Sequence, residues 1–125
     1  MPTIKKITPF FTDERGEMSH LLDDTATINS VVLIKCKKGA IRANHFHKKD
    51  AHYSYLLEGK MNYFYKTQKG RSVKKIVVHN GEMVYTPPME IHAMEFTEDS
   101  LFIALATEKR SRDKYEEDTI RKKIL

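Results

Sequence analysis

The chain has 125 residues, 40% of them hydrophobic, and a formal charge of +5 at pH 7. This length suits one domain with a hydrophobic core, and the single cysteine, Cys36, excludes an intramolecular disulfide and favours a reducing, cytoplasmic location. Basic residues are scattered among 17 acidic ones and the apolar runs are short, so we expect neither a nucleic-acid partner nor a membrane span.

Short runs of β-branched and aromatic residues, separated by Gly, Pro, Asn or Asp, predict an all-β chain. In chain order the predicted strands are Ile4–Phe10, Gly16–Leu22, Ser30–Lys37, Ile41–Phe46, His52–Glu58, Lys60–Lys66, Val73–Val78, Met83–Thr86, His92–Phe96 and Leu101–Thr107. So many short strands predict a closed or sandwiched antiparallel sheet. Charge density rises from Glu108 onward, so residues 108–125 are predicted to form a surface tail with one short helical turn.

Histidines are concentrated where the middle strands begin or end. His45 and His47 lie two apart in a predicted strand, which directs both imidazoles to the same side of the sheet. His52 opens the next strand and His92 follows the Pro87-Pro88 turn, so we expect the four side chains to converge. Neutral imidazole serves both as a proton acceptor near neutral pH and as a ligand for transition metals. His20 and His79 lack such neighbours and are predicted to be surface or hydrogen-bonded structural residues.

Two segments resemble the motifs of the cupin superfamily. The first segment runs from Gly39 through His45, His47 and His52 to Gly59 and is similar to the motif G-x5-H-x-H-x(3,4)-E-x6-G. The second runs from Gly81 through Pro87 to His92 and is similar to the motif G-x5-P-x-G-x2-H-x3-N. His52 stands where metal-binding cupins usually carry glutamate, and Met89 stands where the second motif has glycine. The resemblance implies one all-β cupin domain over residues 1–125, a small antiparallel β-barrel or jelly roll.

A narrower resemblance is to the sugar-nucleotide 3,4-ketoisomerases of the WxcM-like family and to the related 3,5-epimerases. The matching stretches are D-E-R-G at residues 13–16, R-A-N-H-F-H-K at 42–48, T-P-P-M-E-I-H-A-M-E-F at 86–96 and D-T-I-R at 118–121. The sequence departs from the ketoisomerase pattern at Ala43, where that family has glycine, at His52, where it has glutamine, and at Ile91, where it has tryptophan.

This resemblance implies an isomerase that needs no cofactor and acts on a nucleotide-diphosphate-linked keto-deoxy sugar by histidine-mediated proton transfer. The carbon beside a carbonyl is acidic, so we assign general acid and base work to His45 and His47. Arg42 is assigned to the enolate or the diphosphate. Proton delivery is assigned to Tyr53 or Tyr55. Further contacts with the substrate are assigned to Lys48 and Arg15.

Two alternatives remain open from the sequence. In the first, a divalent transition metal bound by His45, His47, His52 and His92 activates oxygen or acts as a Lewis acid, and the histidine at position 52 favours this function because it supplies a further nitrogen donor. In the second, the protein is a non-catalytic carbohydrate-binding cupin. Cupins of this size often pair through an edge strand, so the resemblance also implies a homodimer.

Overall fold

The computed structural model describes residues 3–23 and 27–125, which form twelve strands and one helix. In chain order these are β1 (Thr3–Lys6), β2 (Phe11–Asp13), β3 (Gly16–Met18), β4 (Ser30–Cys36), β5 (Ile41–His47), β6 (His52–Glu58), β7 (Lys60–Lys66), β8 (Lys74–His79), β9 (Glu82–Thr86), β10 (Ile91–Phe96), β11 (Ser100–Ala106), α1 (Arg112–Asp118) and β12 (Thr119–Arg121). No helix in these two ranges is long and apolar enough to cross a membrane.

Two five-stranded antiparallel sheets face each other. The first has the order β1-β9-β6-β11-β4 and the second the order β12-β5-β10-β7-β8, while β2 and β3 form a separate hairpin. Apart from β7 and β8, the paired strands of the two sheets are not consecutive in sequence, as in a jelly roll, and successive side chains along each strand alternate between an inner and an outer face. The prediction of a small antiparallel all-β fold is confirmed.

The hydrophobic core lies between the sheets. Phe96 of β10 stacks on Phe102 of β11 with ring centroids 5.6 Å apart, and both side chains are buried. Leu56 and Met61, which come from either side of the β6–β7 turn, are fully buried in the same cluster. Burying side chains of this size contributes about 1.5–3 kcal/mol each to folding. The core occupies one part of the interior and leaves the other part to polar side chains.

Gly59 joins β6 to β7 in a turn that no other residue fits. Its φ is +102°, and an added Cβ would lie 2.1 Å from Ser100 Oγ and 2.7 Å from the carbonyl oxygen of Asp99. Only glycine combines this left-handed backbone with such a close approach. The final glycine of the first cupin motif therefore has a steric reason.

The eight strands from β4 to β11 begin and end within one residue of their predicted bounds, and β8 and β11 are each shifted by one residue at both ends. The strands β1 and β3 are shorter than the two predicted at the N-terminus, and β2, which pairs with β3 in a hairpin, was not predicted. The larger difference is at the C-terminus, where the predicted surface tail with one short helical turn contains α1, of seven residues, and in addition the strand β12. Thr119 to Arg121 pair with His47 to His45 of β5, so this segment extends the second sheet beside the histidines.

Candidate functional site

The four predicted histidines meet in one cavity between the two sheets. His45 and His47 come from the end of β5, His52 from the start of β6 and His92 from β10, and all four side chains are buried. The ring centroids of His45 and His47 are 4.6 Å apart, and that of His92 is 4.8 Å from His45. The cavity has a volume of about 90 Å³. The convergence predicted from the H-x-H spacing is present.

A bulge in β5 positions this pair. Ala43 and Asn44 have φ values of 70° and 57°, and the pairing of β5 with β10 shifts between the partners of His92 and Ala93. A bulge re-aims the side chains that follow it. Asn44 also accepts backbone hydrogen bonds from Ile124 and Leu125 through its Oδ1, at 2.9 and 3.0 Å. The last two residues are thus hydrogen-bonded to the residue that precedes His45.

The hydrogen bonds of Thr119 define the tautomer of His47. The Thr119 hydroxyl donates its proton to the carbonyl oxygen of Tyr115, so it accepts from His47 Nδ1, which lies 3.2 Å away. A neutral imidazole with a proton on Nδ1 carries its lone pair on Nε2. His47 Nε2 is buried and has no hydrogen-bond partner in the described part of the chain. It is therefore a free proton acceptor beside the cavity.

His92 is oriented in the same way by another partner. Its Nδ1 lies 3.0 Å from the carbonyl oxygen of Glu90, which can only accept, so Nε2 carries the lone pair. His52 Nδ1 lies 3.6 Å from Asp50 Oδ2, which is too far for a hydrogen bond. Two of the imidazoles, those of His47 and His92, therefore carry their lone pair on Nε2.

Burial keeps the histidines neutral. It is the largest cause that lowers the pKa of His45 to about 3 and that of His47 to about 4, and repulsion from neighbouring histidines adds to it. Burial also lowers the pKa of His52, although Asp50 opposes this, and burial together with His52 lowers the pKa of His92. The cluster consequently consists of uncharged acceptors at neutral pH.

The C-terminal segment supplies a wall of the cavity that the sequence did not predict. Tyr115 of α1 lies with its ring centroid 5.3 Å from that of His47 and 6.2 Å from that of His45. Arg110 also lines the cavity, and its guanidinium carbon lies 5.3 Å from the centroid of the Tyr115 ring. Nothing in the local sequence marks these residues, because their proximity depends on the pairing of β12 with β5.

The predicted basic residues occupy three different places. Arg42 lines the histidine cavity, remains exposed at its rim, and donates from Nε to Cys36 Sγ at 3.1 Å. Lys48 lines a separate surface cleft of about 490 Å³ near α1. Arg15 is in the β2–β3 hairpin, where it pairs with Asp13 at 2.7 Å. Of these three residues, the structure brings Arg42 to the histidines.

Tyr53 and Tyr55 do not line the cavity. They alternate along β6 with His52 and Ser54, both of which do line it, so their rings point to the outer face of the sheet. Tyr53 packs against Tyr85 there, with ring centroids 4.8 Å apart. The alternation was already present in the sequence and indicates that residues 53 and 55 face away from His52. We therefore do not retain proton delivery for this pair.

Nitrogen donors in the cluster are close enough to share a ligand. One ligand atom each from His45, His47 and His92 lie within 4.8 Å of one another, and a second group of this kind is formed by His47, Asp50 and His52. The unpaired, buried Nε2 atoms of His47 and His92 are the lone pairs that a metal ion needs. The residues therefore fit a transition metal ion as well as a proton-transfer site.

Comparison with known proteins agrees with this architecture. A family model described as Cupin matches residues 22–117. The fold is similar to a double mutant of QdtA 3,4-ketoisomerase from Thermoanaerobacterium thermosaccharolyticum in complex with TDP, at 25% identity and a TM-score of 0.75, covering 96% of this chain and 86% of that one. A search of curated protein sequences found no match.

Two further solved structures share the fold at lower identity. A 3,4-ketoisomerase from Helicobacter canadensis has a TM-score of 0.79 at 18% identity, covering 96% of this chain and 90% of that one. A dTDP-4-dehydrorhamnose 3,5-epimerase from Sulfolobus tokodaii has a TM-score of 0.72 at 17% identity, covering 90% and 73%. The predicted resemblance to these enzymes is confirmed. Because the family model spans most of its length, the chain belongs to the cupin family.

Proposed function

We propose that the protein is a sugar-nucleotide isomerase that moves a proton between adjacent carbons of a nucleotide-diphosphate-linked keto-deoxy sugar. The observation that carries this proposal is the pair His45 and His47, neutral and buried in a cavity, with the Nε2 lone pair of His47 fixed by Thr119. The similar structures support the substrate class, since QdtA is a sugar 3,4-ketoisomerase whose structure is in complex with TDP.

The chemistry needs a base and a second proton carrier. In the first step a histidine removes the proton from the carbon beside the ketone, and the electron pair moves to form an enediolate. In the second step the hydroxyl on that carbon becomes the new carbonyl and its proton passes to the former carbonyl oxygen, while the former carbonyl carbon takes up the proton that the histidine removed. We assign these transfers to His47 and His45. Neutral imidazoles suit the first step, because a base must begin unprotonated.

The site divides the substrate between an interior and an exterior part. A cavity of about 90 Å³ is smaller than the 300–1,000 Å³ typical of small-molecule sites, so it accommodates the reacting part of the sugar and not the nucleotide. We assign the diphosphate to Arg42, because its side chain is exposed and also lines the cavity. Lys48 and Arg15 remain candidates for contacts with more distant parts of the nucleotide.

The test uses thymidine-diphosphate-4-keto-6-deoxyglucose in deuterated water, followed by nuclear magnetic resonance. We expect an isomerised product with deuterium at the exchanged carbon, and a loss of 10²–10⁴-fold in rate for His47→Asn and His45→Asn. His79→Asn is the matched control, because His79 is exposed on β8. Absence of both product and deuterium exchange in the wild-type protein would contradict the proposal.

A second candidate function is a metal-dependent cupin, and the unpaired Nε2 atoms of His47 and His92 favour it. His45, His47 and His92 would hold the ion, with His52 as a further donor. A bound divalent metal would supply Lewis-acid chemistry or activate oxygen. Thr119 and the Glu90 carbonyl would then hold the tautomers of His47 and His92.

Elemental analysis of untagged protein tests the metal function. We expect about one metal ion per chain in the wild type and a clear reduction in His52→Ala. His20→Ala is the control, since His20 stacks on Phe10 away from the cavity. A metal content far below one per chain that is the same in His52→Ala would exclude this candidate. Ligand affinity without turnover or metal would instead indicate a carbohydrate-binding cupin.

The outer face of the first sheet supports a homodimer. Val31 and Leu33 on the edge strand β4 are 66% and 62% exposed, and they lie opposite Leu105 and Ile103 of β11. The apolar surface continues across β6 and β9 to the pair formed by Tyr53 and Tyr85. Contiguous exposed apolar surface of this kind marks association sites. We propose that a second copy of the chain covers this apolar surface. We also propose that the protein works in the cytoplasm.

A further inference from the structure

The histidine cavity contains many proton acceptors, and the proposed reaction also needs a donor. His47 and His92 carry their lone pairs on Nε2, and His52 is a further buried imidazole beside them. An enediolate develops negative charge on the former carbonyl oxygen, which lone pairs repel. Fixed N–H donors or cations at that oxygen are the usual means of stabilising such charge.

Arg110 is a buried cation at the wall of this cavity. Its side chain is 13% exposed, and its Nε is buried without a hydrogen-bond partner among residues 3–23 and 27–125. A buried polar group without a hydrogen-bond partner lowers the folding equilibrium constant by about 10-fold or more. A ligand that accepts a hydrogen bond from Arg110 Nε would remove this destabilisation. A guanidinium has no acceptor atoms and keeps its charge throughout the reaction.

Asp50 holds Arg110 in place from behind. Its Oδ2 accepts from Arg110 Nη2 at 3.0 Å, and its Oδ1 accepts from the backbone N–H of Glu108 at 3.0 Å. The loop that carries Asp50 is itself fixed, because the Asp118 carboxylate accepts the backbone N–H groups of Lys49 and Asp50, each at 2.9 Å. The guanidinium is therefore oriented before any substrate arrives, which is what electrostatic stabilisation requires.

The other arginine of the cavity is less suited to this task. Arg42 is exposed at the rim, and its Nε is already used by Cys36 Sγ. Charge stabilisation is weaker where solvent screens it. Of the two roles that the sequence suggests for Arg42, binding of the diphosphate fits this residue better than stabilisation of the enediolate.

We propose that Arg110 is a catalytic residue that donates its Nε–H to the carbonyl oxygen of the keto sugar as this oxygen becomes the enediolate. The inference rests on the proposed isomerase function. During the step the carbon-bound proton goes to a histidine and the electron pair forms the new C=C bond. The π electrons of the carbonyl go to its oxygen, and Arg110 hydrogen-bonds that oxygen without losing a proton. Asp50 is the positioning residue for Arg110.

The test compares Arg110→Gln with Arg112→Gln, an exposed arginine of α1 two residues further on. We expect Arg110→Gln to lower kcat about 10²–10³-fold with little change in KM, the pattern for loss of one donor to a developing oxyanion. The rate of deuterium exchange beside the carbonyl should fall in parallel, since forming the enediolate is the assisted step. Arg112→Gln should retain wild-type kinetics.

Chemical rescue separates catalysis from a structural role. Adding guanidinium chloride at low, non-denaturing concentration to Arg110→Ala should restore part of the lost kcat, which repair of the fold would not do; circular dichroism verifies folding of each variant. Wild-type kcat in Arg110→Gln, or a raised KM with unchanged kcat, would overturn the inference. If the wild type itself shows neither product nor exchange, the proposed function fails instead.

Discussion

At the scale of single residues, two departures from family motifs share one physical property. Ala43 and Met89 stand where the related sequences have glycine, and both adopt left-handed backbone conformations, with φ values of 70° and 71°. A side chain with a Cβ pays about 1–2 kcal/mol for this conformation. The chain therefore keeps the backbone shape that the glycines permit while carrying residues that strain it.

Restoring glycine at these positions should stabilise the protein. We expect Ala43→Gly and Met89→Gly each to raise the free energy of unfolding by about 0.5–1 kcal/mol, because relief of strain exceeds the added entropy of the unfolded chain. Urea denaturation measures the change. Asn44→Gly is the matched control at φ 57°: it should destabilise, since the Asn44 side chain binds the last two residues. A loss of stability in both glycine variants would contradict the strain argument.

The candidate site shows how far residue-level patterns reach. The H-x-H spacing and the two motifs were sufficient to place four histidines in one cavity, because alternation along strands is a local property. Arg110 and Tyr115 could not be found in this way. They reach the cavity through the pairing of β12 with β5, and this contact spans 72 residues between His47 and Thr119.

At the scale of elements, strand prediction succeeded where burial is strong. From β4 to β11 the apolar residues alternate or run continuously, and the predicted ends are correct within one residue. β12 was missed because it has three residues, of which Thr119 is buried and the other two are exposed. Its charge density resembles that of a solvated tail, and only the neighbouring strand makes it a strand.

The turn between β6 and β7 gives a prediction at this scale. Gly59→Ala should lower the free energy of unfolding by more than about 1 kcal/mol, because a Cβ would collide with the backbone of Asp99 and the side chain of Ser100. Thermal unfolding followed by circular dichroism measures it. Gly39→Ala provides a comparison, because Gly39 also has a positive φ, of 90°, but no other atom lies within 4 Å of an added Cβ. Equal losses in the two variants would show that the collision has no effect.

At the scale of the whole molecule, the buried histidines connect stability to pH. Their folded pKa values, about 3 for His45 and about 4 for His47, lie below the ordinary value of 6.5. Below pH 6.5 these histidines are protonated in the unfolded chain but remain neutral in the folded protein, so acid favours unfolding. The penalty is absent above pH 6.5 and grows until the pH reaches the folded pKa values.

We expect stability to fall by about 1.4 kcal/mol per pH unit for each of these two histidines between pH 6 and about 4. Urea denaturation at several pH values measures the slope. The double variant His45→Asn, His47→Asn should flatten it, whereas the same change at the exposed residues His20 and His79 should leave it intact. An unchanged slope in the cavity variant would show that these imidazoles do not control acid stability.

The proposed dimer is tested by charge on its surface. Light scattering should give twice the mass of one chain for the wild type and the mass of one chain for the double variant Val31→Glu, Leu33→Glu, because burying two carboxylates in an apolar interface is costly. Val77→Glu on β8 is the control, placed on the other sheet and 36% exposed. A wild-type protein that elutes as a monomer would refute the homodimer.

The position of Tyr115 also has an optical consequence. The chain contains no tryptophan and six tyrosines, so its ultraviolet emission comes from tyrosine alone. Tyr115 packs against His45 and His47, the imidazoles that would hold a metal or exchange protons with substrate. A Cu²⁺ or Ni²⁺ ion bound at these imidazoles would quench the emission of the adjacent Tyr115. The protein thus carries a built-in fluorophore at the cavity wall, and titrating it with either ion would report occupancy without any label.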